Sequence, residues 1–363
     1  MTVIYSGVAG NISSPNVATP SVLAPADGDP DNAATFAVGL QGNTDMNAML
    51  LRLIQGMALE NATISANAPN ANDFATSTGL ATNLLVAILG TGTTSHWSTS
   101  LDYGKTWTFV VSGVAETGYG VVWFPVAGLY VAVVVAGGVC AIETMDSGGA
   151  TVTPRAVPTT AAAVPCAGNC IATSASLIVA AVGNTGQVIF STNGTTWSAQ
   201  GAAVMTGKVM TQVIFAQNQF VAVSTDSFVF TSPNGTTWTA QGQASSTGTG
   251  ALQGLAFNAR LGLYILSNGT TVPYATSPNA ITWTPRSGLA GTVVSRVSTC
   301  WGLFVAVAST GPIQFYISSD GLTWTAAGGP PGLFAPGGMK QLYDRLFYSS
   351  SATTFASLAV PNL

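Results

Sequence analysis

Charge is what this sequence has least of. Only 6% of its 363 residues are Asp, Glu, Lys or Arg, 13 acidic against 9 basic, for a net charge of −4. Long charge-laced helices are therefore nearly excluded. No basic run exists, so an electrostatic grip on nucleic acid is not expected. Histidine occurs once, as His96, and cysteine four times, at 140, 166, 170 and 300. Cys166 and Cys170 stand close in sequence, but no histidine-rich segment accompanies them, so a zinc site of the usual kind is not expected. Buried free thiols or a strained Cys166–Cys170 disulfide remain as readings, and no metal or cofactor is predicted. No apolar run is long enough to span a bilayer as a helix. The longest, 130–142, is cut by two glycines and reads as two buried strands, so membrane insertion is not expected. The first ten residues lack the basic start and apolar core of a secretory signal.

What is plentiful is glycine, with 41 residues, together with Ala, Val, Thr and Ser, in a chain that is 47% hydrophobic. Its mean hydropathy is +0.43. Such text suits short strands joined by tight turns. With so little charge, the surface is wetted by Ser, Thr and Asn or is buried in a larger assembly.

One short phrase recurs: SLDYGKTW at 100–107, STNGTTW at 191–197, SPNGTTW at 232–238, SPNAITW at 277–283 and SSDGLTW at 318–324. A weaker copy, TMDSGGAT at 144–151, keeps Asp146 but ends on Thr151. The last positions fall at 107, 151, 197, 238, 283 and 324, a period of about 40–50 residues that marks propeller blades or a related array. Within each unit, short apolar strands alternate with turns, and Asn234-Gly235 between two strand patterns is a strong hairpin signal. The phrase is placed between the third and fourth strands of each unit. Asp or Asn accepts turn N–H groups, Gly takes positive φ, and Trp packs between blades while its N–H seeks a local acceptor.

These residues resemble the Asp-box, or BNR repeat, over roughly 75–330. The structural box residues are Asp102, Trp107, Asp146, Asn193, Trp197, Asn234, Trp238, Asn279, Trp283, Asp320 and Trp324, with Ala280 in place of a glycine. The resemblance implies an all-β propeller of four-stranded blades over 61–363. After Trp324 three more strand-like pieces remain. Seven blades are expected, the last completed by an N-terminal strand near 61–67; six blades with an additional C-terminal layer is the alternative.

Residues 1–60 read differently, as an extended Pro- and Asn-containing arm followed by the only helical text. Asp29 can cap a helix whose first position is Pro30, and Thr44 can cap a second piece. Met46, Leu50, Leu53 and Met57 then form one apolar stripe at heptad-like spacing. It suits a helix packed on the propeller's flank, or self-association (a trimer included), or docking to a partner. The stretch from 20 to 51 also resembles the N-terminal segment of tailed-phage virion proteins. That resemblance implies a structural protein of a phage particle: a tail fibre, baseplate component or capsid appendage. It would be assembled in the bacterial cytoplasm, docked to other virion proteins through residues 1–60, and expose the propeller to a host-surface glycan or receptor.

Asp-boxes also occur in sialidases and other glycosidases, so a carbohydrate-active enzyme is the alternative. That chemistry needs an arginine cluster or two carboxylates across a cleft. The six arginines are Arg52, Arg155, Arg260, Arg286, Arg296 and Arg345, and none sits in the sialidase context. Glu116, Asp226 and Asp344 are loose carboxylate candidates with nothing in the sequence to unite them, and no catalytic residue is assigned. On the propeller's loop face, Tyr119 and Lys208 are the residues best suited to touch a glycan.

Overall fold

Repeat spacing and turn chemistry together dictate how each unit folds. A run of four short apolar strands separated by Gly- and Asn-bearing turns can pair only with itself, as an antiparallel meander. The computed structural model describes residues 71–77, 84–90, 95–158, 170–182, 186–200, 203–244, 252–268, 273–289, 292–308, 314–328, 336–342, 345–350 and 355–359. The arm and the Met46, Leu50, Leu53 and Met57 stripe lie outside them, as do Cys166, Asp344 and the segment 61–67.

Six four-stranded antiparallel sheets are present, spanning 71–110, 116–155, 171–200, 210–243, 252–286 and 294–328. They are numbered blades 1–6. A further sheet of three strands, Pro336–Leu342, Arg345–Ser350 and Phe355–Ala359, follows. Six complete blades is thus the alternative count from the sequence. The C-terminal residues, however, do not form an outer layer. The innermost strand of each sheet meets that of the next, and Pro336–Leu342 meets both Val294–Cys300 of blade 6 and Ala71–Thr76 of blade 1, so the ring closes.

The core is correspondingly divided. Seven apolar clusters each fill one gap between adjacent sheets. In the closing gap, Phe74 and Trp107 of blade 1 pack with Phe347, ring centroids 6.0 Å apart for the Phe pair. Gly338 of the closing sheet lies so near blade 1 that a Cβ there would fall 2.6 Å from the Asn72 carbonyl oxygen. Cys140, Cys170 and Cys300 are buried. The run 130–142 forms two buried strands, turning through Gly137 and Gly138 at φ 54° and 83°.

The recurrent phrase sits on the hairpin between third and outer strands, as its composition requires. In blade 4, Asn234 Oδ1 accepts the N–H groups of Thr236 and Thr237 at 3.0 and 2.8 Å, and Trp238 Nε1 donates to the Gly235 oxygen at 3.1 Å. Trp107, Trp197 and Trp283 make the same bond in their own turns. Each of these indoles faces the preceding sheet, Trp197 towards blade 2 and Trp238 towards blade 3. The longer turn in blade 1 takes its extra residue at Tyr103, where two successive residues have positive φ, 60° and then 84° at Gly104. Asp146, whose turn has no Trp, still accepts Gly148 and Thr151 N–H at 2.7 and 2.5 Å.

Glycine at the turn is required twice over at 235. Its φ is +72°, and a Cβ would stand 2.5 Å from Leu177 Cδ2 and 2.7 Å from Val179 Cγ2 of the preceding blade. Gly235→Ala should cost about 2 kcal/mol or more, from the left-handed backbone and from overpacking, read as a fall in the thermal midpoint of several degrees. An unchanged midpoint would refute the role given to this turn.

Candidate functional site

In a chain so poor in charge, the carboxylates are the natural place to look for chemistry. The described residues contain seven of them, and the structure gives each a protein partner. Asp102, Asp146 and Asp320 are in the recurrent turns. Asp320 accepts Leu322 and Thr323 N–H at 2.7 and 2.8 Å and the Thr323 hydroxyl at 2.8 Å. Partial burial pulls its carboxyl upward, but these hydrogen bonds outweigh that and hold it below the ordinary 3.8. Asp226 pairs with Lys208 at 2.5 Å and accepts the Ser224 hydroxyl at 2.6 Å.

Asp73 sits on the innermost strand of blade 1, just after a bulge between Ala71 and Asp73. The bulge turns its carboxylate toward blade 2, where Oδ2 accepts the Val121 N–H at 2.9 Å. Lys340 of the closing sheet lies 3.3 Å from Oδ1 and donates to the Val121 carbonyl at 3.4 Å. Burial dominates and raises the Asp73 carboxyl, against the opposing pull of Lys340 and the Val121 and Phe74 amides. The same bulge recurs in blade 4 between Met210 and Gln212. There one amide does both jobs: Gln212 accepts the Leu255 N–H at 2.6 Å and donates to the Leu255 carbonyl at 2.8 Å. Asp73 and Lys340, 267 residues apart, thus reproduce what a single glutamine does three gaps further round the ring.

The last two carboxylates meet the only histidine. His96 precedes the third strand of blade 1 (Trp97–Ser100), Glu116 opens the innermost strand of blade 2 (Glu116–Phe124), and Glu143 lies within its third strand (Val139–Asp146). His96 Nε2 stands 2.7 Å from Glu143 Oε2 and 3.2 Å from Glu116 Oε2, with His96 and Glu143 at 0% and Glu116 at 4% exposure. Trp97 Nε1 donates to the same Glu143 oxygen at 2.6 Å. Burial alone would lower the imidazole; hydrogen bonds and charges from Glu116 and Glu143 outweigh it and hold it up at about 9. Desolvation likewise raises Glu143, and His96 and Trp97 bring it below its ordinary value.

Glu116, expected as a loose candidate beside Asp226 and Asp344, is therefore joined with Glu143 and His96 instead, while Asp226 is in blade 4. Nor do Tyr119 and Lys208 come together. Tyr119 packs against the core between blades 2 and 3. Lys208 holds Asp226 and lies 3.5 Å above the centre of the Phe228 ring. The described arginines are distributed over blades 2, 5 and 6 and the closing sheet. Arg155 and Arg286 each donate to a threonine hydroxyl of their own blade, and Arg260 to the Gly302 and Ser319 carbonyls of blade 6.

One cavity of about 340 Å³ opens among the C-terminal ends of the innermost strands of the closing sheet and blades 1–3, lined by Thr76, Trp123, Pro125, Thr173, Ser174 and Lys340 among others. The Trp123 indole N–H is buried and has no hydrogen-bond partner among the described residues.

No protein-family model matches the chain, and no curated protein matches it in sequence. Solved structures do resemble it in fold. Virginiamycin B lyase from Staphylococcus aureus superposes with a TM-score of 0.65 at 8% identity, covering 83% of this chain and 98% of that one. YCF48 bound to D1 peptide gives 0.59 at 16% identity, covering 82% and 95%, and YCF48 from Cyanidioschyzon merolae 0.57 at 13%, covering 81% and 96%. At such identities the likeness is one of fold, a β-propeller with four-stranded blades, on which a lyase and a peptide-bound protein have both been built.

Lys340→Met leaves Asp73 buried without its cation and should cost about 3 kcal/mol. The double variant Asp73→Gln with Lys340→Met, copying Gln212, should come back to within about 1 kcal/mol of the parent; equal losses would refute the equivalence. Asp320 contributes stability above its unfolded value of 3.8 that is lost as pH falls through its lower folded value. Asp320→Asn, the residue used at 193 and 234, should be near neutral at pH 7 and show less loss of thermal midpoint below about pH 4.

Proposed function

We propose that this chain is a non-enzymatic structural protein of a tailed-phage particle, anchored by residues 1–60 and presenting the propeller to the host surface. The recurrent turns are read as Asp-boxes serving the hairpins. One observation supports the non-enzymatic part above all: every described carboxylate is already engaged in holding a turn, a blade gap or a neighbouring ion. Glycosidic chemistry would need two carboxylates facing a cleft, whereas Glu116 and Glu143, the closest pair, lie beneath the surface between two blades.

A binding role fits the same features. The cavity beside Lys340 offers an ammonium and threonine and serine hydroxyls, donors suited to the oxygens of a saccharide. The peptide complex of the YCF48 propeller is a precedent for ligand capture on this fold. The surface, wetted by neutral Ser, Thr and Asn, suits a particle component.

Immunogold electron microscopy of purified particles, with an antibody to residues 75–363, tests the assignment. Label on the tail, fibres or head is expected; particles without label would overturn it. In parallel, the full chain incubated with host-surface polysaccharide should bind it and release no reducing ends. Release that tracks the protein concentration would favour the glycoside hydrolase reading.

A further inference from the structure

The cluster of His96, Glu116 and Glu143 does not balance its own charge. Two carboxylates lie buried together, and among the described residues their ion pairs are to His96 alone. Even a protonated imidazole supplies one positive charge against two negative ones, and an uncompensated charge in such a place is costly. Hydrogen bonding is also incomplete. Glu143 Oε1 and Glu116 Oε2 are fully buried; Glu143 Oε1 has no hydrogen-bond partner among the described residues, and Glu116 Oε2 faces only the shared His96 Nε2, at 3.2 Å. One imidazole nitrogen and two carboxylate oxygens all lie within 4.8 Å of one another.

We propose that His96, Glu116 and Glu143 form a binding site for a divalent transition-metal cation, best matched by Zn²⁺, that ties blade 1 to blade 2. A neutral imidazole, two carboxylates and a dication sum to zero charge. Nitrogen and oxygen donors are those that zinc accepts at about 2.0–2.2 Å, which places ligand atoms roughly 3.3 Å apart in a tetrahedron. The His96–Glu116 spacing of 3.2 Å already fits. The 2.7 Å His96–Glu143 contact is a hydrogen bond and opens when the cation replaces the Nε2 proton, which leaves to solvent. The supporting shell is in place: Trp97 Nε1 orients Glu143, and Ser112 Oγ lies 3.5 Å from His96 Nδ1. Ser112 belongs to the largely exposed connection at 111–115, which gives the cation a short route in. The site is independent of the virion assignment, since it concerns how two blades are joined.

Calorimetric titration of the metal-stripped full chain with Zn²⁺, together with Co²⁺ absorption spectra, tests this. One equivalent of Zn²⁺ should bind with release of a proton and raise the thermal midpoint. Glu116→Gln and Glu143→Gln relieve the buried charge, so both variants should fold, and each should weaken binding by at least about 10-fold. Wild-type protein that takes up no Zn²⁺, or Glu→Gln variants that bind it as tightly as the parent, would overturn the proposal.

Discussion

Each blade has two apolar faces and no way to bury them except against its neighbours. A twisted four-stranded sheet in isolation would expose both faces and two edges. The ring resolves this, because every gap becomes a core. The constraint explains why a tryptophan stands at the end of so many repeats. Its ring covers the preceding blade while its N–H is satisfied within its own turn for Trp107, Trp197, Trp238 and Trp283; Trp324 departs from this, its Nε1 having no hydrogen-bond partner among the described residues. It also explains why the C-terminal strands matter beyond their number. Without Phe347 and Tyr348, the faces of blades 1 and 6 would be left open.

Polar groups follow from the same demand. A bulge in the innermost strand turns a side chain out of its own sheet, and that side chain then meets the backbone of the next one. Gln212 does this with an amide and Asp73 with an ion, helped by Lys340. The buried trio of His96, Glu116 and Glu143 occupies the gap between blades 1 and 2. Among the described residues, Asp73, Lys340, His96, Glu116 and Glu143 thus lie where sheets meet, while Asp102, Asp146 and Asp320 hold turns.

Much of the ring was legible in the sequence, for a physical reason: turns and hairpins are local. The Asn234-Gly235 dipeptide, the two glycines inside 130–142 and the spacing of the tryptophans each describe a contact spanning a few residues. The three C-terminal strands were legible by the same alternation. What spans the gaps between sheets was not. Glu116 carries no local sign that it faces His96, and Asp73 none that Lys340 will reach it from the far end of the chain. One signal was present: Glu143 stands within the apolar strand around Val139–Asp146, and a charge there needs a partner. The sole histidine, beside a strand tryptophan one blade earlier, was available to be that partner.

The central claim is that closure of the ring by residues 336–359 holds the other six blades. The most direct measurement is thermal unfolding of a chain ending at residue 335 beside the full chain, followed by tryptophan fluorescence and circular dichroism. The account predicts a single sharp transition for the full chain and, for the shortened one, a broad transition at lower temperature with Trp107 exposed. A shortened chain that unfolds as sharply, and as high, would contradict it.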